Sequence, residues 1–161
     1  MNIARLPCIL VILGFLLVSC LPSNEASFEA GKQAYDRGDY AGALEQWGPL
    51  GNRGHAEAQH WIGHMYAMGE GVHRNDAEST RWFRRAAEQG HDAAQGALGD
   101  AYMFGWGVRE DLVLAYKWKL LAVMQGDPWS EGNIDLLRKE MTRSQIRRGE
   151  RLAHEWQATR E

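Results

Sequence analysis

The sequence is short of cysteine, which excludes a fold held together by a network of disulfides. Its two cysteines, Cys8 and Cys20, both lie near the N terminus, and the rest of the chain has none. A domain without disulfides must be stabilised by its apolar core, and 161 residues are enough to bury one. The formal net charge is only −3, which argues against general binding of nucleic acid.

The sequence has only one extended apolar stretch, and it is short. This stretch runs from Leu6 to Val18, follows one charged residue, Arg5, and ends at Ser19 and Cys20. About 14 apolar residues are too few to span roughly 30 Å of hydrocarbon, but this length suits the core of a signal peptide. An ordinary signal peptide with a chance cysteine and an uncleaved anchor are both open at this point.

Residues 17–20 (LVSC) resemble a bacterial lipobox, which implies cleavage before Cys20 and attachment of lipid to that cysteine. Leu21, in place of an acidic residue, resembles the sorting context for the outer membrane of Gram-negative cells. We therefore expect a lipoprotein signal peptide over residues 1–19, followed over residues 20–26 by the lipidated Cys20 and a short polar tether. The domain would then lie in the periplasm, anchored to the cell envelope.

Motifs for nucleophilic or phosphate-dependent catalysis are absent from the sequence. It has no G-x-S-x-G motif, no Walker loop and no Cys–His dyad. Gly69 and Gly71, like Gly105 and Gly107, are spaced as in a phosphate loop, but each pair follows a predicted helix, where a phosphate loop would follow a strand. We interpret these residues as turn glycines, and we do not expect an enzyme.

The chain contains two copies of one repeat unit. Residues 55–90 and 91–126 align without a gap at an offset of 36 residues. The residues shared at this offset include His55/His91, Ala58/Ala94, Gln59/Gln95, Gly63/Gly99, Tyr66/Tyr102, Gly69/Gly105, Gly71/Gly107, Val72/Val108, Trp82/Trp118, Ala86/Ala122 and Gly90/Gly126. Repetition at such a period is typical of a solenoid, in which each unit buries its apolar face against a neighbour.

The pattern A-x-A-Q-x-x-x-G-x-x-Y-x-x-G-x-G-V, followed by W-x-x-x-A-x-x-x-G, resembles the Sel-one-like repeat (SLR) family, a relative of the tetratricopeptide repeats. The resemblance implies a helix–loop–helix pair in each unit and a role as an adaptor for proteins or peptides. Residues 27–54 resemble a degenerate tetratricopeptide unit whose turn is five residues shorter, and residues 127–161 resemble a C-terminal helical cap. We therefore expect an all-α solenoid of about eight helices.

The first helix of each full unit, helix A, is predicted at about 56–68 and 92–104. Gly63 and Gly99 lie inside these helices, where glycine costs about 1 kcal/mol relative to alanine. We expect the second helix, helix B, to approach closely at these glycines. The natural N-caps of helix B are Asn75 and Asp111.

If tetratricopeptide geometry carries over, the helices A line a concave groove. The candidate residues for recognition of an extended peptide or a partner helix are Lys32, Asp36, Glu57, His60, His64, Met68, Asp100 and Phe104. Trp106, at a loop tip, is a further candidate contact. The alternative is that three units curve too little to enclose a partner, so that these residues are merely exposed.

His60 and His64 are the pair to consider for a metal, because they lie one turn apart with Glu57 a turn earlier. The pair lacks the glutamate of H-E-x-x-H, and the next unit has Gly96 and Asp100 at the equivalent positions. We therefore expect no metal and no cofactor.

Together these features predict a non-catalytic protein–protein interaction module of the bacterial cell envelope, acting as an adaptor, scaffold or regulator. Its partner would be a protein or peptide, it would contact the membrane through its lipid, and it would not bind nucleic acid. One alternative is an envelope enzyme or ligand-binding protein, since some exported SLR proteins are linked to penicillin binding or β-lactamase activity. This sequence lacks the repeated cysteine pairs of that subgroup. Another alternative is a purely structural lipoprotein.

Overall fold

A computed structural model describes residues 23–160, which form eight α-helices. They are α1 (Asn24–Asp36), α2 (Tyr40–Asn52), α3 (Ala56–Met68), α4 (Asp76–Glu88), α5 (Asp92–Phe104), α6 (Leu112–Met124), α7 (Pro128–Glu140) and α8 (Arg143–Ala158). The all-α repeat fold predicted from the sequence is confirmed. The predicted signal peptide and Cys20 lie outside the described residues. Within 23–160, no helix is long and apolar enough to cross a bilayer.

The first six helices form three hairpins that stack in chain order. We call them unit 1 (α1 and α2), unit 2 (α3 and α4) and unit 3 (α5 and α6). Each helix A packs on its own helix B, and each helix B packs on the helix A that follows. The places where successive units meet are called the first, second and third junctions, the third lying between unit 3 and α7. Because each junction buries apolar side chains from both neighbours, the units stabilise one another.

The repeated histidine at the start of each full unit is an N-cap. Nδ1 of His55 accepts a hydrogen bond from the Ala58 N–H at 3.2 Å, and Nδ1 of His91 accepts one from the Ala94 N–H at 3.2 Å. An acceptor nitrogen carries no proton, so each ring must hold its proton on Nε2. The predicted caps of helix B, Asn75 and Asp111, are confirmed.

Helix α1 begins earlier than the sequence predicted. Residues 24–26, which were assigned to the tether, form its first turn, because the Ser23 hydroxyl accepts a hydrogen bond from the Ala26 N–H at 3.1 Å. The loop from α1 to α2 has three residues, whereas the α3–α4 and α5–α6 loops have seven each. The turn of unit 1 is therefore four residues shorter than its counterparts, and the predicted difference of five was wrong.

Glycine inside helix A makes room for a side chain of helix B, as predicted. A Cβ on Gly63 would lie 2.8 Å from Cδ1 of Phe83, and a Cβ on Gly99 would lie 2.7 Å from Cγ of Lys119. Gly31 has the same relationship with the Trp47 indole. Residues 31, 63 and 99 are thus equivalent, which places α1 in register with α3 at an offset of 32 residues.

The second glycine of each G-x-G loop joins one unit to the unit before it. Gly71 lies against the first turn of α2, where an added Cβ would be 2.8 Å from the Cβ of Tyr40, and Gly107 lies in the same way against the backbone at Asp76. Both glycines also have positive φ, at 69° and 67°. A side chain at either position would therefore be strained and would push two units apart.

The repeat register continues beyond residue 127, where the sequence pattern changes. α7 follows α5 at the same offset of 36 residues, and Ser130, Ile134 and Leu137 are buried as their counterparts on α5 are. α7 and α8 both pack on α6. Arg160, beyond the end of α8, donates to the carbonyl oxygens of Glu88 and Gln89 at 2.6 Å each. The C-terminal helices thus cover the last unit and satisfy the end of α4.

Candidate functional site

The three junctions differ in the side chains at three positions that are equivalent in the repeat. At the first junction these positions hold Tyr35, Trp47 and Trp61, whose ring centroids are 5.1 to 5.8 Å apart. In the register fixed by the glycines, the equivalent residues of the second junction are Ala67, Phe83 and Ala97. Two of the three aromatic side chains are therefore replaced by alanine.

A cavity of about 440 Å³ opens at the second junction, where those two rings are missing. Ala67, Phe83 and Ala97 all lie on its wall. This volume is within the range of pockets that hold ligands in proteins, about 300–1,000 Å³. The replacement of large side chains by small ones is thus the physical origin of the cavity.

At the third junction the equivalent positions hold Met103, Lys119 and Asn133, so two of the three side chains are polar. Nζ of Lys119 lies 2.8 Å from Oδ2 of Asp100, and Nδ2 of Asn133 donates to Oδ1 of Asp100 at 3.1 Å. Lys119 is only 2% exposed. Because Asp100 holds a buried ammonium group, its carboxylate is already engaged within the protein.

The rim of the cavity exposes large apolar side chains. Met68 is 61% exposed, Phe104 is 51% exposed and Trp106 is 48% exposed. Trp106 packs on Phe104 with ring centroids 4.9 Å apart, and its carbonyl accepts a hydrogen bond from the Thr80 hydroxyl at 2.7 Å. We call Met68, Phe104 and Trp106 the apolar rim. Grouped exposed apolar side chains of this kind are typical of interaction surfaces.

His60 lies on the cavity wall as a neutral aromatic ring. It stacks on His91 with ring centroids 4.8 Å apart and lies 5.8 Å from the ring of Phe83. Burial, together with the neighbouring His91, lowers the pKa of His60 from 6.5 to about 4. Its Nδ1 has no hydrogen-bond partner among residues 23–160. This atom is enclosed by protein and is not exposed to the cavity.

Glu57 links unit 2 to unit 3. Its carboxylate lies 2.7 Å from Nε2 of His91 and accepts a hydrogen bond from Nε1 of Trp61 at 2.9 Å. The hydrogen bond from His91 lowers the pKa of Glu57 to about 2, although partial burial opposes this shift. Glu57 is therefore a bridge between units rather than a free groove residue.

His64 belongs to a polar group between unit 1 and unit 2. The Tyr35 hydroxyl donates to Oε2 of Glu70 at 2.7 Å, and Nδ1 of His64 lies 3.5 Å from each of these oxygens. Burial and the hydrogen bond to Glu70 raise the pKa of Tyr35. His64 also reaches the cavity wall.

The structure brings together only part of the predicted groove. His60, His64, Met68 and Asp100 line the cavity, and Phe104 joins it through Trp106. Lys32 and Asp36 are exposed on α1 and do not line it. Ala67, Ala97 and His91 were not among the residues predicted to form the groove. A comparison of Trp61 with Ala97 at the repeat offset could have indicated the cavity, whereas the altered turn of unit 1 concealed the relation of Tyr35 to Ala67.

The metal candidate also differs from the pair considered in the sequence. His60 is grouped with Glu57 and His91, whose potential ligand atoms lie within 4.8 Å of one another, and His64 is not part of this group. His91 uses Nδ1 as the N-cap acceptor and directs Nε2 at Glu57. Since neither nitrogen has a free lone pair in this arrangement, the three residues do not suit a metal ion while α5 is capped in this way.

Comparison with known proteins agrees with the repeat geometry. Residues 56–91 and 92–127 each match the Sel1 repeat. The crystal structure of c5321, described as a protective antigen present in uropathogenic Escherichia coli strains displaying an SLR fold, is similar with a TM-score of 0.78 and 28% identity. That match covers 83% of this chain and 30% of c5321.

A Sel1 repeat protein from Oxalobacter formigenes is similar with a TM-score of 0.66 and 31% identity, over 70% of this chain and 46% of that protein. This chain therefore spans less than half the length of either structure. A search of curated proteins found no match.

Proposed function

We propose that this protein, which carries two Sel1 repeats in an SLR fold, binds a segment of a partner protein at its second junction. The observation that carries the proposal is an open cavity next to an exposed apolar rim of Met68, Phe104 and Trp106. Burial of such side chains by a partner releases water from apolar surface and is favourable by about 25 cal/mol per Å². The protein would thus act as an adaptor, scaffold or regulator.

We propose further that it has no chemistry of its own. Two carboxylates around the second junction are already engaged within the protein, Glu57 with His91 and Asp100 with Lys119. Nδ1 of His64 lies 3.5 Å from the side-chain oxygens of Tyr35 and Glu70. His60 stacks on His91, lies close to the Phe83 ring and is neutral at pH 7. An acid–base catalyst needs a group that is free to exchange a proton with a substrate, and these contacts favour a structural role instead.

We propose that the protein is located in the bacterial envelope, with lipid attached to Cys20 and the repeats in the periplasm. Support for this comes from the sequence around Cys20. Replacement of Cys20 by alanine is expected to move the protein from the membrane fraction to the soluble fraction and to abolish its labelling by palmitate. Unchanged membrane association and labelling would contradict a lipid anchor at Cys20.

The binding proposal is tested by chemical cross-linking in cells that express the tagged full chain, followed by mass spectrometry of what is recovered. The informative variant is Phe104→Ala combined with Trp106→Ala, which removes most of the apolar rim. Trp129→Ala is the matched control, because Trp129 is 85% exposed on α7 and does not line the cavity.

We expect a reproducible partner with the wild-type protein and with Trp129→Ala, and its loss with the double variant. Equal recovery with all three proteins would place the binding surface elsewhere. Recovery of no partner with any of them would contradict an adaptor function.

A further inference from the structure

We infer that the second junction binds a tryptophan or tyrosine side chain of the partner segment, with lysine or arginine next to it. The bound ring would occupy the space that Tyr35 and Trp61 fill at the first junction. This inference rests on the proposed function, because it assigns the occupant to a bound protein.

The repeat itself indicates the shape of the occupant. At the first junction Trp61 stacks on Trp47 with ring centroids 5.5 Å apart and lies 5.1 Å from Tyr35. At the second junction Phe83 stands in the place of Trp47, while Ala67 and Ala97 leave open the space of the other two rings. A ring that enters this space can stack on Phe83, and such an aromatic pair is more favourable than the burial of its area alone.

The first junction also indicates which rings suit this space. The side chains that fill it there are those of Tyr35 and Trp61, and both carry a hydrogen-bond donor: the Tyr35 hydroxyl donates to Glu70 and Nε1 of Trp61 donates to Glu57. Tryptophan and tyrosine are therefore the expected occupants.

Charge complementarity indicates the flanking residues. Helices α1, α3, α5 and α7 together carry nine Asp or Glu and three Lys or Arg, whereas α2, α4, α6 and α8 carry six Asp or Glu and nine Lys or Arg. A segment that lies along α1, α3, α5 and α7 therefore passes more acidic than basic side chains, although Arg74 lies on the cavity wall. Basic side chains beside the bound ring would be attracted to this acidic excess.

The apolar rim favours a protein segment over a free aromatic molecule. A small molecule could fill the cavity but would leave Met68, Phe104 and Trp106 exposed to water. A segment several residues long would cover them and would contribute main-chain contacts as well.

The test is selection of random peptides, displayed on phage, against the full chain in detergent. Ala97→Trp places an indole in the cavity, as Trp61 does at the first junction. Ala93→Trp is the matched control, because it adds the same side chain at an exposed position of the same helix. We expect the selected peptides to contain tryptophan or tyrosine flanked by lysine or arginine.

The selected peptides are expected to bind Ala93→Trp as tightly as wild type and Ala97→Trp at least about tenfold more weakly, the loss typical of a removed hot spot. Replacing the aromatic residue of the peptide with alanine should cause a similar loss. Circular dichroism reports whether Ala97→Trp folds, and if it does not, Ala67→Tyr blocks the same cavity with the residue found at position 35.

Three outcomes would overturn the inference. Peptides that lack an aromatic residue, or that bind Ala97→Trp undiminished, would refute the assigned occupant and leave the proposed function standing. N-acetyltryptophanamide that competes as well as the peptides would show that the cavity takes a free aromatic molecule. Recovery of no binding peptide would count against the proposed function as well.

Discussion

The imidazole of His60 stacks on that of His91, with ring centroids 4.8 Å apart and planes inclined by 20°. One unit earlier, Phe28 stacks on His55 in the same manner, at 5.2 Å and 17°. Phe28 also stacks on Trp47, as His60 contacts the equivalent Phe83. His60 therefore stands where unit 1 has a phenylalanine, and the position requires an uncharged ring.

His60→Phe is expected to make the protein more stable in mild acid. The pKa of His60 is 6.5 in the unfolded chain and about 4 in the folded protein, so as the pH falls below 6.5 the unfolded state binds a proton that the folded state does not. Between pH 7.5 and pH 5.0 the wild-type protein should lose about 2 kcal/mol of unfolding free energy through this group, and the variant should not lose it. Urea unfolding at the two pH values measures the difference.

Phe28→His supplies the reciprocal control, because it places a histidine in the equivalent stack on His55. We expect this variant to gain acid sensitivity over the same pH range. If His60→Phe and wild type lose equal stability between pH 7.5 and 5.0, the stack does not hold His60 neutral.

Glu57→Gln is expected to loosen the link between unit 2 and unit 3. The carboxylate accepts from Trp61 and contacts Nε2 of His91, and loss of a hydrogen bond to a charged group costs about 1.5–3 kcal/mol before allowance for solvent exposure. Because the pKa of Glu57 is lower in the folded state, its stabilisation is present above pH 4.5 and is lost as the pH falls towards 2.

The stability difference between Glu57→Gln and wild type, followed by chemical unfolding, should therefore shrink below pH 4.5. A difference that stays constant down to pH 3 would show that the charge of Glu57 contributes nothing.

Gly63→Ala is expected to destabilise the protein, whereas Gly132→Ala is expected to stabilise it. A Cβ at Gly63 would lie 2.8 Å from the Phe83 ring, while a Cβ at Gly132 would meet nothing within 4 Å. Overpacking costs typically about 1–3 kcal/mol, and alanine gains about 1 kcal/mol over glycine inside a helix. Thermal unfolding of the two variants should show opposite shifts in Tm, and a rise in both would mean that α3 and α4 can separate at little cost.

Asp100→Asn is expected to cost more stability than Lys119→Met. The first change leaves the buried ammonium of Lys119 without its carboxylate, a loss of roughly 3–5 kcal/mol for a fully buried pair. The second change removes the ammonium and leaves Asp100 with Asn133 and partial contact with water. Unfolding free energies of both variants and of the double variant form a mutant cycle, and strict additivity would show that the two charges do not interact.

Much of the fold could be predicted from the sequence, because the two full units repeat at a fixed offset. The limits of α3 and α5 and the caps Asn75 and Asp111 agree with the prediction, since helix boundaries depend on local hydrogen bonding. The predicted start of α1 was wrong. Its N-cap, Ser23, lies outside the two full units, so the repeat pattern did not indicate it. The length of the first turn was wrong because Tyr35 was aligned with Tyr66, and only the packing of Gly31 on Trp47 corrects the register.

The sequence by itself determined the repeat, the helices and the scarcity of disulfides, because each of these follows from composition or from local periodicity. The tertiary structure decided which side chains meet at a junction. It showed that Glu57 bridges to His91, that Asp100 is paired with Lys119, and that Ala67 and Ala97 leave a cavity. These relationships join residues about 20–35 positions apart, so no local sequence pattern predicts them. The cavity exists because two side chains are small where their counterparts are large, and this becomes visible only when the units are packed together.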